Sequence, residues 1–124
     1  MSVVRAVTAE GKGRVVHVVK DIDAGQVLES SPAVVLSADD RRAIDHTSLF
    51  PYYFVRPERR EIYIIFGLAS FCSHSEEPNA AVEWRRTGAG LWADLTATQP
   101  IAAGDEVTLR YLNIEKYDTD GWQP

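Results

Sequence analysis

The sequence predicts a mainly β domain of short strands with one or two short helices. Three observations carry this. Short segments rich in β-branched and aromatic residues recur along the chain, as strands favour. Gly11, Gly13, Gly25, Gly88, Gly90 and Gly104 separate them, as tight turns require. The clearest helix start is at Ser37, whose hydroxyl can cap a helix over 37–45, with Asp40 three residues on.

The elements follow in order. Residues 3–7 and 15–19 are valine-rich strands flanking the glycines at 11 and 13. Residues 26–36 form an extended stretch broken by Pro32. Asp39 and Asp40 suit the positive end of the predicted helix. Residues 49–55 fit a short helix or a strand equally well. Residues 61–66 are a compact apolar run, 80–86 alternate around Val82 and Trp84, and 91–98 and 106–111 complete the strands. Ile22 before Gly25 and Ile101 before Gly104 give two similar turns, each an apolar anchor, a glycine and then a strand.

Composition bounds the function. At 124 residues the chain predicts one domain over 1–124. Its single cysteine, Cys72, excludes an intrachain disulfide framework and a Cys-rich zinc cluster. No apolar run reaches the length of a membrane span, so no membrane partner is expected. No signal-peptide pattern opens the sequence, and a cytoplasmic protein is the default expectation. The net charge of −5 argues against sequence-independent nucleic-acid binding and suits a cationic partner such as a lysine-bearing peptide.

The most informative stretch is Phe71-Cys72-Ser73-His74-Ser75-Glu76-Glu77-Pro78-Asn79, followed later by Gly104-Asp105-Glu106-Val107-Thr108-Leu109-Arg110-Tyr111. An opening block, Gly11-Lys12-Gly13-Arg14-Val15-Val16, precedes Asp21-Ile22-Asp23-Ala24-Gly25-Gln26-Val27-Leu28-Glu29. Together, in this order and spacing, the three blocks resemble the SET-domain protein lysine methyltransferases. The pattern covers nearly the whole chain and in size is most similar to the minimal viral-type SET proteins. Tyr52-Tyr53-Phe54 sits where those carry a tyrosine-containing segment before the first signature.

The resemblance implies the β-clip fold, with short curved sheets and a C-terminal pseudoknot. It implies a core over about 1–112, with 113–124 closing the substrate channel. S-adenosylmethionine is the implied cofactor, and a lysine side chain of a protein is the implied acceptor. Tyr111 matches the catalytic tyrosine. Lys12, Gly13, Arg14, Tyr52, Ser73 and His74 match cofactor-binding positions, His74 partly through its backbone. Tyr52, Tyr117 and Trp122 fall where the family lines and closes the channel, and Phe71 packs in the core. No metal is implied, and a homodimer is expected by analogy with the viral proteins.

The chemistry agrees with that implication. Lysine has a pKa of about 10.4 and must be held as the neutral amine to attack a sulfonium methyl. An aromatic channel strips water from the amine and packs its alkyl stem, and a tyrosine hydroxyl orients it.

The chain departs from the family pattern at named positions. Ser73 replaces the usual asparagine, Glu76 the usual cysteine, and Arg110 the usual aspartate before the tyrosine. Aligning the opening block on Asp21-Ile22 places Val15 at a glycine position, whereas aligning on the glycines inserts residues before Asp21. Ser73, Arg110 and Val15 motivate one alternative, a non-catalytic SET-like binding module; the turn over 21–28 motivates a second, another β-clip ligand-binding domain. Cys72 and His74 share a strand face, which a nucleophilic pair would also use.

Overall fold

The computed structural model describes residues 2–56 and 61–111. Strands β1 (Val4–Ala9) and β2 (Gly13–Val18) form an antiparallel hairpin. β3 (Val27–Leu36), β4 (Phe54–Arg56), β5 (Glu61–Ile65), β7 (Ala80–Thr87) and β8 (Gly90–Ala97) form a five-stranded antiparallel sheet in the order β4-β5-β3-β8-β7. β6 (Ser73–His74) and β9 (Thr108–Leu109) form a short parallel pair. Helix α1 (Ala38–Ile44) follows β3, and single 3₁₀ turns span Phe50–Tyr52 and Leu68–Phe71.

The large sheet obeys period two. Ala33 of β3 and Ala93 and Leu95 of β8 are buried on one face, where they meet Tyr63 and Ile65 of β5. Val16 and Val18 of the hairpin, with Ile22, Ile101, Val107 and Leu109, close this core from the other side. A smaller cluster on Tyr53 and Ile62 carries Ile44 of α1 and Phe50.

Helix α1 starts as its sequence dictates. Asp40 N–H donates to Ser37 Oγ at 3.1 Å, and Ser37 N–H donates to Asp40 Oδ2 at 3.2 Å, so the capping box is complete.

Three expectations are corrected. β3 runs unbroken through Pro32, whose carbonyl accepts from Phe66 N–H at 3.0 Å. A residue's N–H and C=O point to the same side of a strand, so the missing donor falls just beyond the end of β5 and leaves the pairing with β8 intact. Residues 49–55 are a 3₁₀ turn and then a strand rather than one or the other. The predicted strand over 106–111 shortens to Thr108–Leu109. The chain before it turns to β2 instead: Val107 N–H donates to Val16 O at 2.8 Å, and Val18 N–H to Asp105 O at 3.1 Å.

The two similar turns pair with each other. Ile22 N–H donates to Ile101 O at 2.8 Å, and Ile101 N–H returns a bond to Ile22 O at 3.0 Å. Gly25 and Gly104 both adopt φ of 88°, which a side chain would oppose. The pseudoknot expected of the C-terminal segment lies outside the described residues.

Candidate active site

The first part of the site is the hairpin tip. Ala9 pairs with Gly13, so three residues make the turn, and Lys12 N–H donates to Ala9 O at 3.1 Å. Gly11 and Gly13 both sit at φ of 79°. Val15 is instead a buried strand residue, which settles the opening block on the glycine alignment. A Cβ built on Gly11 or Gly13 would meet nothing within 4 Å, so bare backbone faces open space here. Arg14 extends from the tip over the Phe71 ring, 4.6 Å from its centroid, and Phe71 meets the Tyr52 ring at 5.3 Å. Phe71 therefore joins the expected cofactor residues Arg14 and Tyr52 while still packing against the core.

The second part is the parallel pair. Ser73 lies beside Thr108 and His74 beside Leu109, and Ser75 N–H donates to Leu109 O at 2.9 Å. Asn79 ties the same two segments. Its Nδ2 donates to Glu106 O at 2.8 Å, and its Oδ1 accepts from Thr108 N–H at 2.9 Å. This pairing carries Tyr111 back onto the signature segment. Tyr111 O–H donates to Cys72 O at 2.5 Å, and Tyr111 N–H donates to His74 Nδ1 at 2.9 Å. The His74 and Tyr111 rings lie 5.2 Å apart.

Glu106 joins the two parts. Its Oε1 accepts from Lys12 Nζ at 2.8 Å. Burial pushes its carboxyl upward, but hydrogen bonds from Lys12 and Ser73 outweigh this and hold it below the usual carboxylate range. Lys12 and Ser73 thus meet on one carboxylate that the sequence reading left without a role. A charged residue two positions before a strand is an ordinary surface feature in sequence, and nothing local marks its partner.

Next to Tyr111 lies a cavity of about 330 Å³. Tyr52, Phe54, Trp84, Leu109 and Tyr111 supply its largely apolar wall, with Thr98 and Arg110 among its polar groups. Trp84 is fixed against Tyr63 at 4.6 Å and Phe54 at 6.2 Å between ring centroids. The alternation around Trp84 marks a strand face but not what that face meets. Tyr117 and Trp122, expected to close the channel, lie outside the described residues.

All described residues expected at the site are thereby brought into one neighbourhood. The open backbone of the glycine tip, its cationic neighbours Lys12 and Arg14, and the Phe71–Tyr52 ring pair fit a ligand that combines an amino-acid end with an aromatic base. The nucleophilic pair of Cys72 and His74 does not form. Cys72 is 1% exposed, its thiol contacts Leu68 O, and burial with the nearby charges of Glu29 and Glu106 pushes it up to about 12. Among the described residues, no group of three or more His, Cys, Asp or Glu side chains is placed to hold a metal, and no helix is long and apolar enough to cross a membrane.

Comparisons with known proteins agree with this geometry. A Yarrowia lipolytica histone-lysine N-methyltransferase, H3 lysine-36 specific, is 29% identical over 94% of this chain, which spans 16% of that protein's length. The crystal structure of a candidate histone methyltransferase from Plasmodium falciparum matches with a TM-score of 0.71 at 19% identity, covering 90% of this chain and 94% of that one. A humanized Chaetomium thermophilum Polycomb Repressive Complex 2 matches at 0.72 and 18% identity, covering 90% of this chain and 15% of that one. An autoinhibited form of the same complex, bound to S-adenosylmethionine, matches at 0.70 and 18% identity, covering 94% of this chain and 17% of that one. These relatives overturn the expectation of a cytoplasmic protein, because their names are those of a histone methyltransferase and a Polycomb complex. The SET domain profile matches residues 13–112, and with the fold and the motif geometry in agreement the chain belongs to the SET domain family.

Proposed function

We propose that this domain transfers the methyl group of S-adenosylmethionine to the side-chain amine of a lysine in a protein substrate. The observation that supports it most is the placement of Tyr111. Its hydroxyl is anchored on the Cys72 carbonyl, and its ring walls an aromatic cavity beside the segment that carries Ser73 and His74.

The cofactor, when bound, supplies an electrophilic methyl on a sulfonium. The chain's own residues do the rest. Lys12, Gly13 and Arg14 receive the cofactor with Ser73 and His74, and Tyr52 stands between that side and the cavity. Tyr52, Phe54 and Trp84 exclude water from the lysine stem, which favours the neutral amine over the ammonium. Tyr111 O–H donates a hydrogen bond to Cys72 O, which leaves its oxygen lone pairs to accept from an amine N–H. That bond turns the nitrogen lone pair toward the reacting carbon, and the gain is one of alignment.

The name of the Yarrowia relative makes histone H3 the first substrate to try, and a net charge of −5 favours a lysine-rich partner. We keep the likeness to the viral-type proteins, and the homodimer it implies, within the same proposal; sedimentation equilibrium tests the dimer.

Tyr111→Phe with labelled cofactor tests the central assignment. Loss of the hydroxyl should slow transfer by about 10²–10³-fold. Binding of S-adenosylhomocysteine should persist, raising stability by about 2.7 kcal/mol at a hundred times its dissociation constant. Undiminished transfer in the variant would refute the role of Tyr111. Absence of both binding and transfer in the wild-type chain would refute the proposed activity.

A further inference from the structure

Two of the residues at which this chain departs from its family pattern, Glu76 and Arg110, meet at one place. Glu76, in the position of a usual cysteine, extends one carboxylate oxygen to His74 Nε2 at 3.2 Å and the other to Arg110 Nη2 at 3.5 Å. Arg110, in the position of a usual aspartate, directly precedes Tyr111. A neutral residue has become an anion and an anion a cation, and the two new charges face each other. The other ring nitrogen of His74, Nδ1, accepts from Tyr111 N–H at 2.9 Å. That bond exists only while Nδ1 carries no proton, so the proton of the neutral ring must be on Nε2. An acceptor at Nε2 selects that tautomer, and the acceptor there is Glu76.

We propose that Glu76 is a positioning residue for Tyr111, acting through His74. The carboxylate holds the imidazole as its Nε2–H tautomer, and the imidazole fixes the Tyr111 backbone. Arg110 holds the carboxylate in place from the tyrosine side. Glu76 and Arg110 are both exposed, at 67% and 62% of their side chains, so the pair adds little to overall stability. Its effect is on which proton arrangement the ring adopts and hence on where Tyr111 stands. A partner that orients a functional histidine through its second nitrogen is a recurring device.

This inference rests on the proposed methyl transfer, but its first test does not. Long-range proton–nitrogen NMR on the labelled chain reads the tautomer of His74 directly. The wild-type ring should be the Nε2–H form. Glu76→Gln, which keeps an acceptor oxygen, should retain it, and Glu76→Ala should convert part of the population to the other tautomer. In turnover assays Glu76→Ala should lower kcat about tenfold. KM for a histone peptide and affinity for S-adenosylhomocysteine should stay within about twofold of wild type, and Glu76→Gln should recover most of the rate. Arg110→Asp should be worse than the same change combined with Glu76→Cys, because the single variant opposes two carboxylates. A His74 tautomer and a kcat both unmoved by Glu76→Ala would overturn the proposal while leaving the methyltransferase reading intact. If the wild-type chain transfers no methyl, that reading fails, and the tautomer measurement still decides whether Glu76 governs His74.

Discussion

Replacing Asn79 with alanine should weaken the domain more than any surface position suggests. The side chain makes two good bonds across 27 and 29 residues of sequence: Nδ2 to Glu106 O at 2.8 Å and Oδ1 from Thr108 N–H at 2.9 Å. Alanine removes both partners and leaves a carbonyl and an amide partly buried without replacements. Each such group costs about 1–3 kcal/mol, and their partial exposure brings the sum to about 2–4 kcal/mol. In a chain of this size, 1 kcal/mol moves the melting temperature by about 3–5 °C, so the midpoint should fall by about 6–20 °C. Circular dichroism melts and urea titrations measure this independently. Asn79→Asp sharpens the test. Aspartate keeps the acceptor for Thr108 N–H but turns a carboxylate oxygen toward the Glu106 carbonyl, which raises its folded pKa above the unfolded value. Relative to wild type at the same pH, that variant should therefore be least destabilised in acid and lose stability as the pH rises through the folded pKa. A melting temperature within about 2 °C of wild type for Asn79→Ala would refute the view that this side chain fastens the two segments.

Gly67→Ala should destabilise by about 2–3 kcal/mol, because the added Cβ would run into Ser31 and the Glu29 carboxylate that accepts Leu68 N–H at 2.7 Å; urea titration checks it, and a neutral result would contradict the packing. Glu106 and Asp94 both titrate below their ordinary range, Asp94 chiefly through its hydrogen bond from Arg85. Their stabilisation is present above the unfolded carboxylate pKa and is lost as the pH falls through the depressed folded values. Melts across the acid range should show this loss, and the slope should flatten in Glu106→Gln and in Asp94→Asn. Cys72, pushed up to about 12 and buried, should resist alkylation at pH 8 in the folded chain and react promptly in urea. Rapid labelling of the native protein would show that the segment opens.

Much of the fold was legible where the deciding physics is local. The capping box of α1 needs only Ser37 and Asp40, three residues apart, and the alternation that marks β7 and β8 is written in adjacent residues. Pairing is not local. Residues 104–107 turn to β2 because Val16 and Val18 offer their backbone there, and no periodicity in either segment announces it. The same distinction runs through the site. Tyr111, Ser73 and His74 stood out through their motifs. Glu106 did not, since its partner Lys12 lies 94 residues away. Phe71 was assigned to the core from its place just before the cofactor-binding signature, and its contacts with Arg14 and Tyr52 depend on how the hairpin tip folds over it.

The mutual bonds between Ile22 and Ile101 bear on the order in which the chain can acquire its structure. These residues lie near opposite ends of the described sequence, so their contact closes a long loop whose entropy is lost before any bond rewards it. Pairings of this kind slow folding toward the millisecond-to-second range typical of β topologies. During synthesis, β1 and β2 emerge well before residues 104–107, the backbone that completes the edge of β2. An N-terminal fragment therefore carries the glycine hairpin with Lys12 unanchored and β2 half-paired, however well its own strands form. The arrangement around Tyr111 belongs to the same closing segment, so it is complete only with the second turn docked on the first.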